Sequence, residues 1–350
     1  MPSREAARTE PPQGYRPLVV VRRGGVIESV HHGAIVVADA GGRIDLACGD
    51  PEAVTFLRSA AKPVQVLPLL RSGAVERFGL TEGEVAVMIG SHGGEPFHVA
   101  AVQSILKKIG LGEEALQCGA HPPFHRPSAK ALREAGLKPS AIHNNCSGKH
   151  AGMLALSVHL GAPIAAYLDP EHPVQVLILE SLTELAGRPA SAIPLAVDGC
   201  SAPTFALSLA AAAALYARLV SPGGLRSADA VRRAVAAMRG RPEMVAGTGR
   251  ICTALMREAP GGLIAKIGAE GFYGLGFERD GRGFGIALKV ADGDGERARC
   301  TAVIETLRQL GLVTDQAASG LLERFVGEIR NHRGLSVGRV EPAFALRPGA

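Results

Sequence analysis

Strand-like runs occur near both ends of this 350-residue chain, and a long stretch with helical spacing separates them. Apolar, β-branched segments over 18–21, 27–30 and 34–37 are separated by glycine pairs, and similar segments return over 263–267, 271–277 and 283–290. From residue 95 to about 258 apolar residues recur at helical spacing, and two more helices are expected from Glu296 and Asp315. This order favours one sheet assembled from both termini over alternating βαβ units. The sequence therefore predicts an α+β fold in which helices surround an antiparallel sheet of N- and C-terminal strands.

The chain is expected to form one catalytic domain over 16–350, with two lobes and a cleft between them. Residues 1–15 are polar, contain two prolines and lack an apolar core, so they are predicted to be a disordered tail and not a signal peptide. No apolar stretch is long enough to cross a bilayer, which favours a cytoplasmic location with no membrane partner.

Composition argues against several other classes of protein. Six dispersed cysteines without a C-x-x-C pair are expected to be reduced thiols. The formal charge is +5, but basic and acidic residues are intermixed, and aromatic residues make up only 4% of the chain. Few side chains could therefore stack on bases, and nucleic-acid binding is not expected.

The spacing S-x-x-K occurs at Ser59 and Lys62. On a helix this spacing places a hydroxyl and an amine on one face, where a lysine of lowered pKa can activate the serine. Pro63 predicts the first turn of a helix, although a residue before proline resists helical geometry. The alternative is a helix cap beside a solvated lysine, which is the commoner origin of an isolated S-x-x-K.

Two further segments contain candidate site residues. An apolar run over 85–89 is predicted to be a strand that leads into Ser91, His92 and Gly93, where glycine-rich backbone can bind an oxyanion or a carboxylate. An ordinary turn is the alternative. Lys266 lies within an apolar strand, so it is expected either to face a cleft or to point to water from a sheet edge.

Cys146 and Cys200 lie in polar, glycine-containing segments, and Lys149 and His150 follow the first of them. Two thiolates with a nearby imidazole could bind zinc, but the spacing does not require a metal. Buried, inert cysteines are the alternative from spacing alone.

Taken in order, six motifs resemble the L-asparaginase II family of rhizobial type. They are RSAAKP over 58–63, SHGGE over 91–95, NNCSGKH over 144–150, VDGCSAP over 197–203, VAG over 245–247 and AKIGAEG over 265–271. The resemblance implies a fold similar to serine β-lactamases and penicillin-binding proteins and a homodimer. It also implies two Ser–Lys tandems, Ser59 with Lys62 and Ser91 with Lys266. Further implied site residues are Arg58, Asp198 and Cys252, and the implied Zn²⁺ ligands are Cys146, Lys149 and Cys200.

These observations predict hydrolysis of L-asparagine to L-aspartate and ammonia through an acyl-serine intermediate. Ser59 is the expected nucleophile with Lys62 as base, and Ser91 with Lys266 the expected proton relay. Asp198 is expected to bind the substrate ammonium group, and Arg58 to orient it or bind its carboxylate. Zinc is expected to support the site without being essential to the chemistry. Two alternatives are a β-lactam-hydrolysing or penicillin-interacting enzyme and a non-catalytic, zinc-dependent regulatory module.

Overall fold

The computed structural model describes residues 14–259 and 262–349. Most of the predicted disordered tail, residues 1–13, lies outside this range. Gly14 accepts a hydrogen bond from the Asp50 amide, and Tyr15 packs against the core. The fold is therefore in place from Gly14 onward.

The strands fall near both ends of the chain, with three short ones between. They are β1 (Arg16–Arg23), β2 (Val26–Asp39), β3 (Ile44–Cys48), β4 (Val54–Phe56), β5 (Leu195–Val197), β6 (Pro203–Ser208), β7 (Ile264–Ile267), β8 (Phe272–Arg279), β9 (Arg282–Val290), β10 (Ile329–Arg330), β11 (Ser336–Pro342) and β12 (Arg347–Pro348).

The helices fill the middle of the chain and follow β9. They are α1 (Lys62–Gln65), α2 (Leu67–Ser72), α3 (Ala74–Phe78), α4 (Glu82–Ile89), α5 (Pro96–Lys108), α6 (Arg126–Glu134), α7 (Ser147–Leu160), α8 (Pro173–Ala186), α9 (Leu209–Val220), α10 (Ala228–Gly240), α11 (Pro242–Val245), α12 (Ile251–Glu258), α13 (Ala298–Gln309) and α14 (Asp315–Phe325). Short 3-10 helices cover Arg58–Ala61, Glu113–Ala115, Ala141–His143, Ile164–Ala166 and Ala190–Ala192.

The large sheet confirms the predicted architecture. Its strands are antiparallel in the order β10-β11-β1-β2-β9-β8-β7, and β3 joins β2 on one side and β12 on the other. The N-terminal strand β2 therefore pairs directly with β9, with Ile35 opposite Leu288. The pairing of β1 with β11 was not predicted, because the C-terminal residues show no clear strand pattern. A small second sheet has the order β4-β6-β5.

Helix α9 packs closely on β8 and β9 because small residues face each other across the contact. An added Cβ on Gly285 would lie 1.9 Å from the Ala213 carbonyl oxygen, and one on Gly274 would lie 2.2 Å from the Tyr216 ring. Only glycine permits this approach. The alanine-rich helix is therefore a core helix, and within the ranges described no helix has the length and apolar character needed to span a bilayer.

Candidate active site

The segment that carries Ser59 is a single helical turn wedged between the two sheets. It follows β4, runs as a 3-10 helix over Arg58–Ala61 and continues into α1, whose first turn contains Pro63. Lys62 adopts helical geometry with φ −58° and ψ −35° despite the proline that follows it. Ser59 is half-buried, whereas Lys62 is only 1% exposed. The prediction of a helical start at this motif is confirmed.

Lys62 is held by oxygen atoms from three directions. Its Nζ donates to the carbonyl oxygens of Gly90 (2.6 Å) and Asn145 (3.3 Å) and to Ser91 Oγ (3.1 Å). Three acceptors use the full donor capacity of an ammonium group. Within the described residues, no hydrogen bond joins the side chains of Ser59 and Lys62.

Ser91 follows a helix, so the prediction of a strand over 85–89 was wrong. Residues 82–89 form α4, whose N-terminus is a capping box: Thr81 Oγ1 accepts from the Glu84 amide, and Glu84 accepts from the Thr81 amide. A short apolar run fits either a buried strand or a buried helix, and the cap decides the outcome here. Beyond the helix, the Ser91 amide donates to the Val245 carbonyl at 2.9 Å.

Lys266 reaches the same serine from the large sheet. It lies in β7 and is 1% exposed, so it does not point to water from a sheet edge. Its Nζ is 2.7 Å from Ser91 Oγ and donates to the Ile267 carbonyl at 3.1 Å. Burial, reinforced by the charge of Lys62, holds the pKa of Lys266 well below its usual range. The Ser91 hydroxyl therefore bridges two lysines that are 204 residues apart in sequence.

Arg58 and Asp198 form an ion pair at the edge of this cluster. Asp198 Oδ1 accepts from Arg58 Nε and from the Gly199 amide, at 2.8 and 2.7 Å. Burial raises the pKa of Asp198, but the charges of Lys149 and Arg58 outweigh it and lower that pKa. Arg58 has φ 50°, a left-handed conformation that costs a non-glycine residue roughly 1–3 kcal/mol. The structure around the ion pair thus holds a strained residue directly before Ser59.

His92 belongs to the segment predicted to bind substrate, and its ring is fully buried. Nδ1 accepts from the Gly94 amide at 3.2 Å, so Nε2 carries the proton and donates to Ser147 Oγ at 3.0 Å. Burial, with a further contribution from His98, holds the pKa of His92 well below its usual range. The neutral His92 ring therefore stabilises the turn after Ser91 through these two hydrogen bonds. Gly93 lies in this turn, and its carbonyl accepts from the His125 amide.

Cys252 lies in α12, behind Lys266. Its thiol is 2% exposed and 3.0 Å from the Tyr273 hydroxyl. Substrate contact with this thiol would need the surrounding residues to move, so its role as a substrate-binding residue stays a prediction.

The predicted zinc ligands come together between α7 and the segment after β5. Lys149 Nζ is 2.9 Å from Cys200 Sγ, and the side chains of Cys146 and Cys200 lie next to each other. That contact lowers the pKa of Cys146 and raises the pKa of Cys200. Among residues 14–259 and 262–349, no three His, Cys, Asp or Glu residues gather as a metal site. Two buried sulfurs and one amine nitrogen nevertheless form a donor set that fits zinc.

Several contributors to this cluster could not be found from the sequence. The Gly90 and Asn145 carbonyls that hold Lys62 are backbone groups, which carry no residue-specific signal. Tyr216 donates from its hydroxyl to the Ala60 carbonyl at 2.8 Å, yet it lies within an alanine-rich helix that indicates only core packing.

Fold and site together define an α+β protein with a buried lysine–serine–lysine cluster beside a more accessible serine. The L-asparaginase II family model matches residues 19–342, nearly the whole chain. The chain belongs to the L-asparaginase II family, and this membership supports a serine-type amidohydrolase.

The chain is similar to several solved structures at low identity. Mglu in its tris and glutamate form is 17% identical with a TM-score of 0.41; the match covers 80% of this chain and 59% of the Mglu chain. A Bacillus glutaminase in 4.3 M NaCl is 14% identical with a TM-score of 0.37, covering 80% of this chain and 91% of that one. The Bacillus subtilis glutaminase YbgJ, covalently bound to 5-oxo-L-norleucine, gives the same identity and score and is covered over 88% of its length. No curated protein matches the sequence.

Proposed function

We propose that this chain hydrolyses L-asparagine to L-aspartate and ammonia through an ester on Ser59. The observation that carries the proposal is the Ser91 hydroxyl bridging Lys62 and Lys266 beside Ser59, in a chain of the L-asparaginase II family. Such a cluster supplies a nucleophile, a base and a proton relay without an external cofactor.

The burial of the two serines supports a division of roles between them. A nucleophile must be reachable by the scissile amide, and Ser59 is half-buried whereas Ser91 is 4% exposed. Ser91 instead contacts both lysines, which suits a hydroxyl that receives a proton on one side and releases one on the other. We therefore assign attack to Ser59 and proton transfer to Ser91.

The proton path follows from the hydrogen bonds. Lys62 as an ammonium passes a proton to the Ser91 oxygen while the Ser91 proton moves to neutral Lys266, so only the lysine charges exchange places. Neutral Lys62 then takes the proton from Ser59 as its oxygen attacks the amide carbon. The contact between Ser59 and Lys62 forms when substrate fills the cleft, as catalytic hydrogen bonds often do. The amide nitrogen takes a proton back through Ser91 and leaves as ammonia when the C–N bond breaks, and water then hydrolyses the ester.

The ion pair beside Ser59 supports recognition of the substrate ammonium group. Asp198 Oδ1 takes the contacts from Arg58 and the Gly199 amide, and no described residue donates to Oδ2. That oxygen is the acceptor we assign to the α-ammonium group. Arg58 then serves mainly to orient Asp198.

We further propose that Cys146, Lys149 and Cys200 hold zinc. When bound, zinc supplies positive charge and fixed ligand geometry to the segments around residues 146 and 200. Asp198 lies two residues before Cys200, so ordering this segment also orders the group that receives the substrate ammonium. A homodimer, implied by the family resemblance, and the cytoplasmic location expected from the sequence complete the proposal.

The test is ammonia release from L-asparagine and L-glutamine by the purified protein, with Ser59→Ala, Ser91→Ala and the control Ser157→Ala. Ser157 is a buried serine whose hydroxyl donates to the Met153 carbonyl within α7. Mass spectrometry of acid-quenched reactions should detect a β-aspartyl adduct that Ser59→Ala abolishes and Ser157→Ala retains. An adduct on Ser91 in the Ser59→Ala protein would reverse the assignment. Turnover of a chromogenic β-lactam without ammonia release would instead favour the β-lactam-hydrolysing alternative.

A further inference from the structure

Arg250 lies at the end of a loop that is tied to the Ser91 turn. The Ser91 amide donates to the Val245 carbonyl where this loop begins, and the Thr248 amide donates to Glu95 Oε1 at 2.8 Å further along it. Arg250 is the last residue before α12 and is half-buried. Its backbone position is therefore set by the same segment that presents Ser91.

The Arg250 side chain continues a row of contacts that leads to Lys62. Its guanidinium carbon is 5.8 Å from the centre of the Phe124 ring, and this ring stacks on His121 at 4.7 Å. His121 Nε2 accepts from the Asn145 amide, whose carbonyl accepts from Lys62. The positive charge of Arg250 also contributes to the lowered pKa of Lys266, after burial and Lys62. The guanidinium thus lies close enough to Lys266 for its charge to act on that lysine.

Two other arginines near the site, unlike Arg250, form ion pairs with carboxylates. Arg58 is paired with Asp198 at 2.8 Å, and Arg257 in α12 is paired with Glu243 at 2.8 Å. For Arg250, the described residues provide neither a carboxylate partner nor a carbonyl acceptor for the guanidinium. A half-buried guanidinium held over an aromatic ring, with its N–H donors free, is suited to binding a carboxylate in a bidentate manner.

We propose that Arg250 binds the α-carboxylate of the substrate and so selects α-amino acid amides over simple amides. The inference rests on the hydrolysis proposed above. It assigns the ammonium group of the substrate to Asp198 and its carboxylate to Arg250. Phe124 keeps the guanidinium in place through the cation–π contact.

The experiment compares L-asparagine with 3-aminopropanamide, which keeps the amine and the reacting amide and lacks only the carboxylate. In Arg250→Gln, kcat/KM for asparagine should fall about 10- to 100-fold, mostly through KM, while that for 3-aminopropanamide stays nearly constant. Arg250→Lys keeps the positive charge but not the planar, bidentate guanidinium, so its kcat/KM for asparagine should fall less than that of Arg250→Gln. Arg257→Gln is the matched control and should leave the ratio of the two substrates unchanged.

An unchanged substrate ratio in Arg250→Gln, or an equal loss on both substrates, would overturn the carboxylate role. If Arg250→Gln does not fold, as judged by thermal unfolding, an unchanged ratio in Arg250→Lys overturns it. Failure of the proposed function looks different, because the wild-type protein itself would release no ammonia from asparagine. In that case calorimetric titration with L-aspartate decides the point: weaker binding to Arg250→Gln than to wild type supports the role, and equal or no binding refutes it.

Discussion

Replacing Tyr216 by Phe tests whether a buried hydrogen bond from this tyrosine positions the turn that carries Ser59. The Tyr216 hydroxyl is buried and donates to the carbonyl of Ala60, which lies between Ser59 and Lys62 in sequence. The ring itself is positioned by its packing against Gly274, where no Cβ would fit. Tyr216→Phe therefore removes one hydrogen bond and keeps the packing of the ring.

The expected cost follows from leaving a buried carbonyl without this donor. We expect the free energy of unfolding to fall by about 1–3 kcal/mol, with no cavity contribution because the ring volume is kept. Activity should also fall, because misplacement of a reacting group by about 1 Å can cost up to 100-fold in rate. We expect kcat for asparagine to drop about tenfold with little change in KM, since Tyr216 touches no substrate.

Urea denaturation and steady-state ammonia release measure the two effects, and Tyr167→Phe is the control. The Tyr167 hydroxyl is also buried; it accepts from the Gln117 amide at 2.9 Å and lies 2.7 Å from His150 Nδ1. This variant should lose at least as much stability and retain most of kcat. Full stability and full kcat in Tyr216→Phe, or an equal kcat loss in both variants, would refute the reasoning.

Two other predictions concern protons and metal. The neutral form of Lys266 is the proposed proton acceptor. Burial with the charge of Lys62 lowers its pKa below the ordinary 10.5, so kcat/KM should rise with pH and level off below that value. A flat profile or an acid optimum would exclude a lysine base. Chelation of zinc, verified by metal analysis, should raise KM for asparagine more than it lowers kcat, because the proposed metal orders the segment around Asp198. Complete loss of kcat with an intact fold and normal substrate binding would mean that the metal performs the chemistry.

The sequence by itself determined the class of fold and the segments of the candidate site. Strand patterns over 27–37 and 283–290 predicted a sheet shared by both termini, and β2 pairs with β9 as expected. The helices predicted from Glu296 and Asp315 are α13 and α14. Periodicity and turn residues are local properties of the chain, so they can be read without knowledge of distant contacts.

The sequence misled where a local pattern fits two structures. The apolar run over 85–89 is too short for its periodicity to separate a strand from a buried helix, and the capping box at Thr81 starts a helix. The pairing of β11 with β1 likewise lacks a local signal, because β11 mixes polar and apolar residues without regular alternation.

Only the tertiary structure decided how the site residues contact each other. Sequence motifs suggested two separate Ser–Lys pairs, but both lysines contact Ser91, and Ser59 has no described hydrogen bond to either. The tertiary structure also decided which arginines have an ion-pair partner. Arg58 pairs with Asp198, 140 residues away in sequence. The guanidinium of Arg250 lies over the Phe124 ring without a described acidic partner. Hydrogen-bond partners and burial arise from segments that meet only in the folded chain. They set the pKa of Lys266 and the free donors of Arg250, and neither property belongs to a residue in isolation.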